Sequence, residues 1–145
     1  MKINVYCQDR GWLFEDLKRE IASYGAKPSS RPLRNFDAYI CIRTKEAPLS
    51  PKPKKTVVQV HDMKGYDLSP YGLALLVHES QNVKGNTTPR VFPFEYEGIF
   101  TGNDEKELSQ SIIRHIDNYG LYKPTALFKR ADWCKAQIDL ARGLI

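Results

Sequence analysis

Three short, nearly unbroken apolar runs constrain this chain more than any other feature: Asp37-Ala-Tyr-Ile-Cys-Ile-Arg43, Thr56-Val-Val-Gln-Val-His61 and Leu73-Ala-Leu-Leu-Val-His78. A strand with one face in water alternates apolar and polar residues, whereas a strand that is apolar at almost every position is covered on both faces. Such strands suit a parallel sheet sandwiched between other layers. Lys2-Ile-Asn-Val-Tyr-Cys7, partly alternating, reads as a further strand. Arg90-Val-Phe-Pro-Phe94 reads as a short fifth, with Pro93 at an edge or strand end.

Helical spacing fills part of the remainder. After an Asp9-Arg10-Gly11 turn, Trp12, Leu13, Leu17, Ile21 and Tyr24 recur on one helix face, and Gly25 supplies a stop. A second helix is expected from Asn103-Asp104, where Asp104 precedes Glu105 and Glu107. Its apolar face is Leu108, Ile112, Ile113 and Ile116, and it ends near Gly120. A last helix follows Lys123-Pro124 and carries Trp133, Ile138, Leu140 and Ala141. The connection after Arg43 is Pro-rich, and the one after His61 is too short for a long crossover helix. The expectation is an α/β fold: a single Rossmann-like domain over residues 1–145, with a mostly parallel sheet of about four or five strands. Residues 1–100 form its core, and C-terminal helices within 101–145 pack on it. A chain of 145 residues supports one core rather than two.

Composition narrows the function classes. With 41% hydrophobic and 11% aromatic residues the chain is not a disordered polyelectrolyte. No apolar run approaches the ~20 residues of a membrane span, and the first residues read as a strand rather than a signal peptide. Cys7, Cys41 and Cys134 form no C-x-x-C pair, and His61, His78 and His115 have no H-x-x-x-H spacing. A disulfide framework and a metal site are therefore not expected, and a reducing cytoplasmic setting is.

The formal charge of +5 is uneven. Residues 1–72 hold thirteen Lys and Arg against eight Asp and Glu, whereas residues 73–145 hold nine of each. The excess concentrates between Lys27 and Lys64. Within it, Ala47-Pro-Leu-Ser-Pro-Lys-Pro-Lys-Lys55 carries three prolines and is no α-helix. Lys52, Lys54 and Lys55 are then either a solvated loop or contacts for a phosphate-rich partner such as a nucleic acid.

In a parallel sheet, ligands gather at the carboxyl ends of the strands. That rule puts Gln8-Asp-Arg-Gly11, the loop after Arg43, His61-Asp-Met-Lys64 and His78-Glu-Ser-Gln81 along one rim. Gly11 and Trp12 open a helix whose amides would attract an anion, although no G-x-G-x-x-G or G-x-x-x-x-G-K-[ST] is present. His61 with Asp62 offers a base or a hydroxyl-binding group, and Lys64 a nearby cation. His78 and Glu79 repeat the pattern one strand later. Glu95 and Glu97 share a face of an extended segment, as a solvated edge or as coupled carboxyls. Ser80 lacks the glycine-flanked elbow of a serine hydrolase.

Thr56-Val-Val-Gln-Val-His-Asp62 resembles the V-x-V-H-D strand of the N-terminal Rossmann-like domain in glycosyltransferases of the GT-B fold. The surrounding order is also similar: a Met-Lys-Ile strand, a glycine turn with a helix, and the strand opening Asp37-Ala-Tyr. Leu75-Leu-Val-His-Glu-Ser80 is similar to a V-S-E-S segment, and Arg90-Val-Phe-Pro93 to a V-I-P exit. Gly98-Ile-Phe-Thr-Gly-Asn-Asp-Glu-Lys-Glu-Leu108 with Ile112-Ile113 looks like the entry to the closing helices. Ala131-Asp132-Trp133 resembles the last helix, which crosses back onto the first domain. The resemblance implies a transferase with Gly11 near donor phosphates and His61 near the reacting sugar, using a nucleotide-sugar donor and no other cofactor. It leaves no room for a donor domain, so the implied protein is a degenerate or partner-dependent half. The expected partners are a nucleotide-sugar or sugar acceptor, and a second copy or partner chain. The alternative is a non-catalytic basic α/β module that binds nucleic acid through Lys52, Lys54 and Lys55.

Overall fold

A computed structural model describes residues 2–8, 12–60, 65–76, 95–96, 100–108, 110 and 128–145. The strands are β1 (Ile3–Tyr6), β2 (Lys27–Ser29), β3 (Ala38–Cys41), β4 (Thr56–Val60), β5 (Leu73–Leu76), β6 (Glu95–Tyr96), β7 (Phe100–Gly102) and β8 (Phe128–Lys129). The α-helices are α1 (Trp12–Ser23) and α2 (Arg130–Gly143). Six strands form one sheet in the order β2-β1-β3-β4-β5-β7. The first five are mutually parallel, and β7 closes the row antiparallel to β5. β6 and β8 pair separately. This is a mostly parallel, Rossmann-like α/β architecture with a C-terminal helix on the sheet.

The unbroken apolar runs are the central strands, because each contributes side chains to two cores. Ile3, Val5 and Cys7 of the β1 segment, Ala38, Ile40 and Ile42 around β3, Val57 of β4 and Leu75 of β5 face the helices. There they meet Leu17 and Ile21 of α1 and Cys134, Ile138 and Ala141 of α2. Tyr6, Tyr39, Cys41, Val58, Val60 and Ala74 point to the opposite face, where Phe36, Ala47, Leu68 and Leu108 cover them. Full burial of a Leu, Ile or Val contributes about 1.5–3 kcal/mol, so period-two burial on both faces accounts for these runs.

The two faces are covered differently. α1 and α2 pack on one face and on each other. Connections cover the other: residues 30–37, the 3-10 turn Thr44–Leu49 and residues 65–72. The side of each connection follows the direction of travel. The chain moves one way from β1 to β2 and the other way from β3 to β4 to β5, and right-handed crossovers put those connections on opposite faces.

β2 changes the expected connectivity. The spacing predicts that the first helix leads directly to the strand at Asp37–Arg43, but it leads to β2, and the chain then crosses β1 to form β3. Lys27-Pro-Ser29 is an exposed edge strand and carries no apolar signal. Buried Asn4 secures the crossing: its Nδ2 donates to Lys27 O at 2.8 Å and Ser29 Oγ at 2.9 Å, and its Oδ1 accepts the Leu33 N–H at 2.9 Å. Tyr24, expected on the apolar helix face, is 38% exposed because α1 ends at Ser23. Gly25 follows with φ +133°, a left-handed conformation that suits glycine.

Asp104 begins a helical turn over residues 105–108, its Oδ1 accepting the Glu107 N–H at 2.9 Å. Leu108 is fully buried from it. The strand expected at Arg90–Phe94 and the remainder of the second helix lie outside the described residues. No described helix is long and apolar enough to cross a membrane.

Candidate functional site at the carboxyl edge

The strand order reverses between β1 and β3: from β1 the chain builds β2 on one side and β3, β4 and β5 on the other. Neighbouring connections that leave on opposite faces open a crevice at the carboxyl ends of those two strands, where ligands of open α/β sheets bind. Cys7 and Gln8 stand at the exit of β1, and Ile42 and Arg43 at the exit of β3.

Glu46 joins the two exits. The 3-10 turn at Thr44–Leu49 folds back so that its carboxylate, on a residue only 5% exposed, reaches the β1 exit. Oε1 accepts the Gln8 N–H at 2.6 Å, and Oε2 lies 3.6 Å from Cys7 Sγ. The Glu46 carbonyl accepts the Tyr6 hydroxyl at 3.0 Å. Beside it, the Cys41 thiol donates to Arg43 O at 2.9 Å. Burial pushes the Cys41 thiol up to about 12, although the Tyr6 hydroxyl pulls the other way. Burial, and next the neighbouring Cys41, raise the Tyr6 hydroxyl well above its ordinary range.

Two cations stand at the same edge. The nearly buried Lys18 ammonium donates to Cys7 O at 3.3 Å and Ser29 O at 3.4 Å, and pairs with Glu15 at 3.0 Å. Those carbonyls sit at the carboxyl ends of β1 and β2, so α1 is tied to both strands by one side chain. The Arg43 guanidinium stands 5.5 Å from the Phe14 ring centroid, a cation–π contact between β3 and α1. The edge therefore presents fixed charges of both signs, backbone groups and an aromatic ring. No group of three or more His, Cys, Asp or Glu side chains suited to a metal ion occurs among the described residues.

Of the residues singled out in the sequence, Trp12 is the first residue of α1, immediately after the β1 exit loop. β4 exits at Val60 and β5 at Leu76 on the same edge. Gly11, His61, Asp62, Lys64, His78, Glu79, Ser80 and Glu97 lie outside the described residues.

Lys52, Lys54 and Lys55 stand at the opposite edge, before the first residue of β4. The Lys54 ammonium donates to Ser69 O at 3.1 Å, and that of Lys55 to Leu144 O. Both tie loop segments together. The basic stretch is thus divided by the topology: Arg43 is at the carboxyl edge, and Lys27, Lys52, Lys54 and Lys55 are at the amino edge.

Glu46 and Lys18 carry no sequence signal of their own. One is an acid within a basic stretch and the other a charged helix residue, and only the return of a connection onto β1 buries them. Arg43 is marked in the sequence as the exit of a buried strand. No family model matches the chain, nor does any curated protein or solved structure.

Proposed function

We propose that this chain is a glycosyltransferase-like protein that takes a sugar or nucleotide-linked ligand at the carboxyl edge of its parallel sheet. The observation that supports this reading is the reversal of strand order between β1 and β3, with Gln8, Arg43 and Glu46 converging beside it. In the proposal, the β1-to-α1 turn at Gly11 and Trp12 lies near donor phosphates. His61 and Asp62, following the last residue of β4, serve the reacting sugar as base and polar partner. Lys64, His78 and Glu79 complete the ligand contacts. A partner chain, or a second copy, supplies the donor-binding half.

A thermal-shift panel of nucleotides, nucleotide-sugars and oligonucleotides tests this directly. A nucleotide-sugar is expected to raise the melting temperature by mass action and to perturb the amides of Gln8 and Arg43, and His61→Ala to abolish turnover while the fold is kept. No shift with any nucleotide-sugar, or unchanged turnover in His61→Ala, overturns it. A shift confined to oligonucleotides and lost steeply with salt supports the nucleic-acid alternative instead.

A further inference from the structure

The amino edge of the sheet, remote from the carboxyl-edge crevice, holds a second feature. A shallow pocket of about 480 Å³ opens between the starts of β1 and β2, lined by Lys2, Ile3, Gly25, Ala26, Lys27 and Phe36. Lys2 immediately precedes β1 and Lys27 opens β2, on parallel strands paired Asn4 to Lys27. Neighbouring strands lie about 4.8 Å apart, so two flexible lysine stems on them can converge on one small anion.

Both lysines are exposed, and neither ammonium forms an ion pair with a carboxylate among the described residues. The Lys2 ammonium instead stands 4.9 Å from the Phe36 ring centroid. Asp37 Oδ2 accepts the Lys2 backbone N–H at 2.7 Å, which sets one carboxylate beside the Lys2 end of the pocket, and Asp139 pairs with Arg142 at 3.6 Å. The Arg142 guanidinium, paired with Asp139, stands beside the pocket, its Nη2 lying 3.7 Å from the place a Cβ on Gly25 would occupy. The Lys2 N–H bond, and after it the charges of Lys52 and of Lys2 itself, hold the Asp37 carboxyl below its usual range. Gly25, Ala26 and the Phe36 ring supply a floor without acidic groups.

We propose that this pocket binds a small organic phosphomonoester, its dianion held between Lys2 and Lys27 and its apolar portion against Gly25, Ala26 and Phe36. Two ammonium groups with no carboxylate ion pair among the described residues match the charge of a phosphate dianion, and the hydrocarbon floor favours an ester over inorganic phosphate. The site is independent of the carboxyl-edge reading and stands or falls separately.

Amide-resolved NMR titration tests it with three probes: phenyl phosphate, inorganic phosphate and phenol. Phenyl phosphate is expected to shift the amides of Gly25, Ala26 and Lys27 saturably, more tightly than inorganic phosphate does, while phenol leaves them unmoved. Lys2→Ala with Lys27→Ala should weaken phenyl phosphate by about tenfold or more, and Lys27→Arg should retain it. These are exposed positions, and an unchanged melting temperature confirms that each variant is folded. The proposal is overturned if those amides do not shift, if phenol shifts them equally, if inorganic phosphate binds as tightly, or if the double variant binds unchanged. Shifts confined to Gln8 and Arg43 would also overturn it, because they locate phosphate at the other edge.

Discussion

The carboxylate of Glu46 accepts the backbone N–H of Gln8 at 2.6 Å, joining the connection after β3 to the exit of β1 across the point where the sheet order reverses. A charged acceptor on a main-chain amide is a strong form of hydrogen bond, and here it is almost out of solvent. The bond holds the first residue of the loop that leads to Gly11 and Trp12. Glu46 therefore organises the carboxyl edge from a position 38 residues away in sequence.

Glu46→Ala should lower stability by about 1–3 kcal/mol, because the Gln8 amide loses its acceptor. Glu46→Gln keeps an acceptor oxygen and should lose less. Urea unfolding midpoints at constant m-value measure both, with the exposed helix substitution Asp16→Ala as the reference. A Glu46→Ala midpoint equal to the reference would mean that the bond contributes nothing.

Alkaline pH should unfold the protein through Cys41 and its tyrosine neighbours. Burial holds the Cys41 thiol at about 12 against an ordinary value of 9.0, and also raises Tyr6, Tyr39 and Tyr71. Between 9.0 and about 12 the unfolded thiol has lost its proton while the folded one keeps it. The folded state then binds more protons, so stability falls as pH rises through that window and is fully present below it. Urea midpoints from pH 8 to pH 11 should decline, and less steeply in Cys41→Ala. An identical slope in that variant would remove Cys41 from the account.

Gln59 and Gln137 form a buried polar pair between β4 and α2, Gln59 Nε2 donating to Gln137 Oε1 at 3.0 Å. Gln137 Nε2 has no acceptor among the described residues. Gln137→Leu should cost about 1–2 kcal/mol by stripping the acceptor from Gln59. Gln59→Leu with Gln137→Leu should cost less than the sum of the single changes, because the pair is then removed together. Simple additivity in the double-mutant cycle would contradict the coupling.

Gly72 sits where a Cβ would come within 2.4 Å of the Lys54 carbonyl oxygen and 2.8 Å of Leu144 Cδ1. Its N–H donates to Pro53 O at 3.0 Å, so backbone meets backbone just before β5. Gly72→Ala should destabilise by about 1–3 kcal/mol through overpacking. Gly143→Ala, with nothing within 4 Å of the added carbon, should be neutral or slightly stabilising. Thermal melts of the two variants separate close approach from a general glycine effect.

How much was legible in the sequence depended on burial. β3, β4 and β5 were marked by unbroken apolar runs, and α1 by Leu17 and Ile21 four residues apart, because those patterns follow from what each side chain touches. β2 was not marked: an edge strand of Lys, Pro and Ser is held by main-chain pairing and by the Asn4 side chain rather than by apolar burial. The antiparallel β7 was read as the approach to a helix, since Phe-Thr-Gly is too short to show a period. Of the site, the exit positions were legible from the strand ends, whereas Glu46 and Lys18 were not, because charged side chains look alike in sequence whether solvated or buried.

The sequence by itself determined the layered α/β class, the parallel character of the central strands and the place of the C-terminal helix. These depend on local periodicity and on burial of both strand faces. Only the tertiary structure decided the order β2-β1-β3-β4-β5-β7, and with it the location of the crevice, the fastening of Gln8 by Glu46 and the division of the basic stretch between two edges. Strand order arises from which side of β1 each connection returns to. That choice is made by contacts between residues distant in the chain, such as Asn4 with Leu33 and Glu46 with Gln8, which no local pattern records.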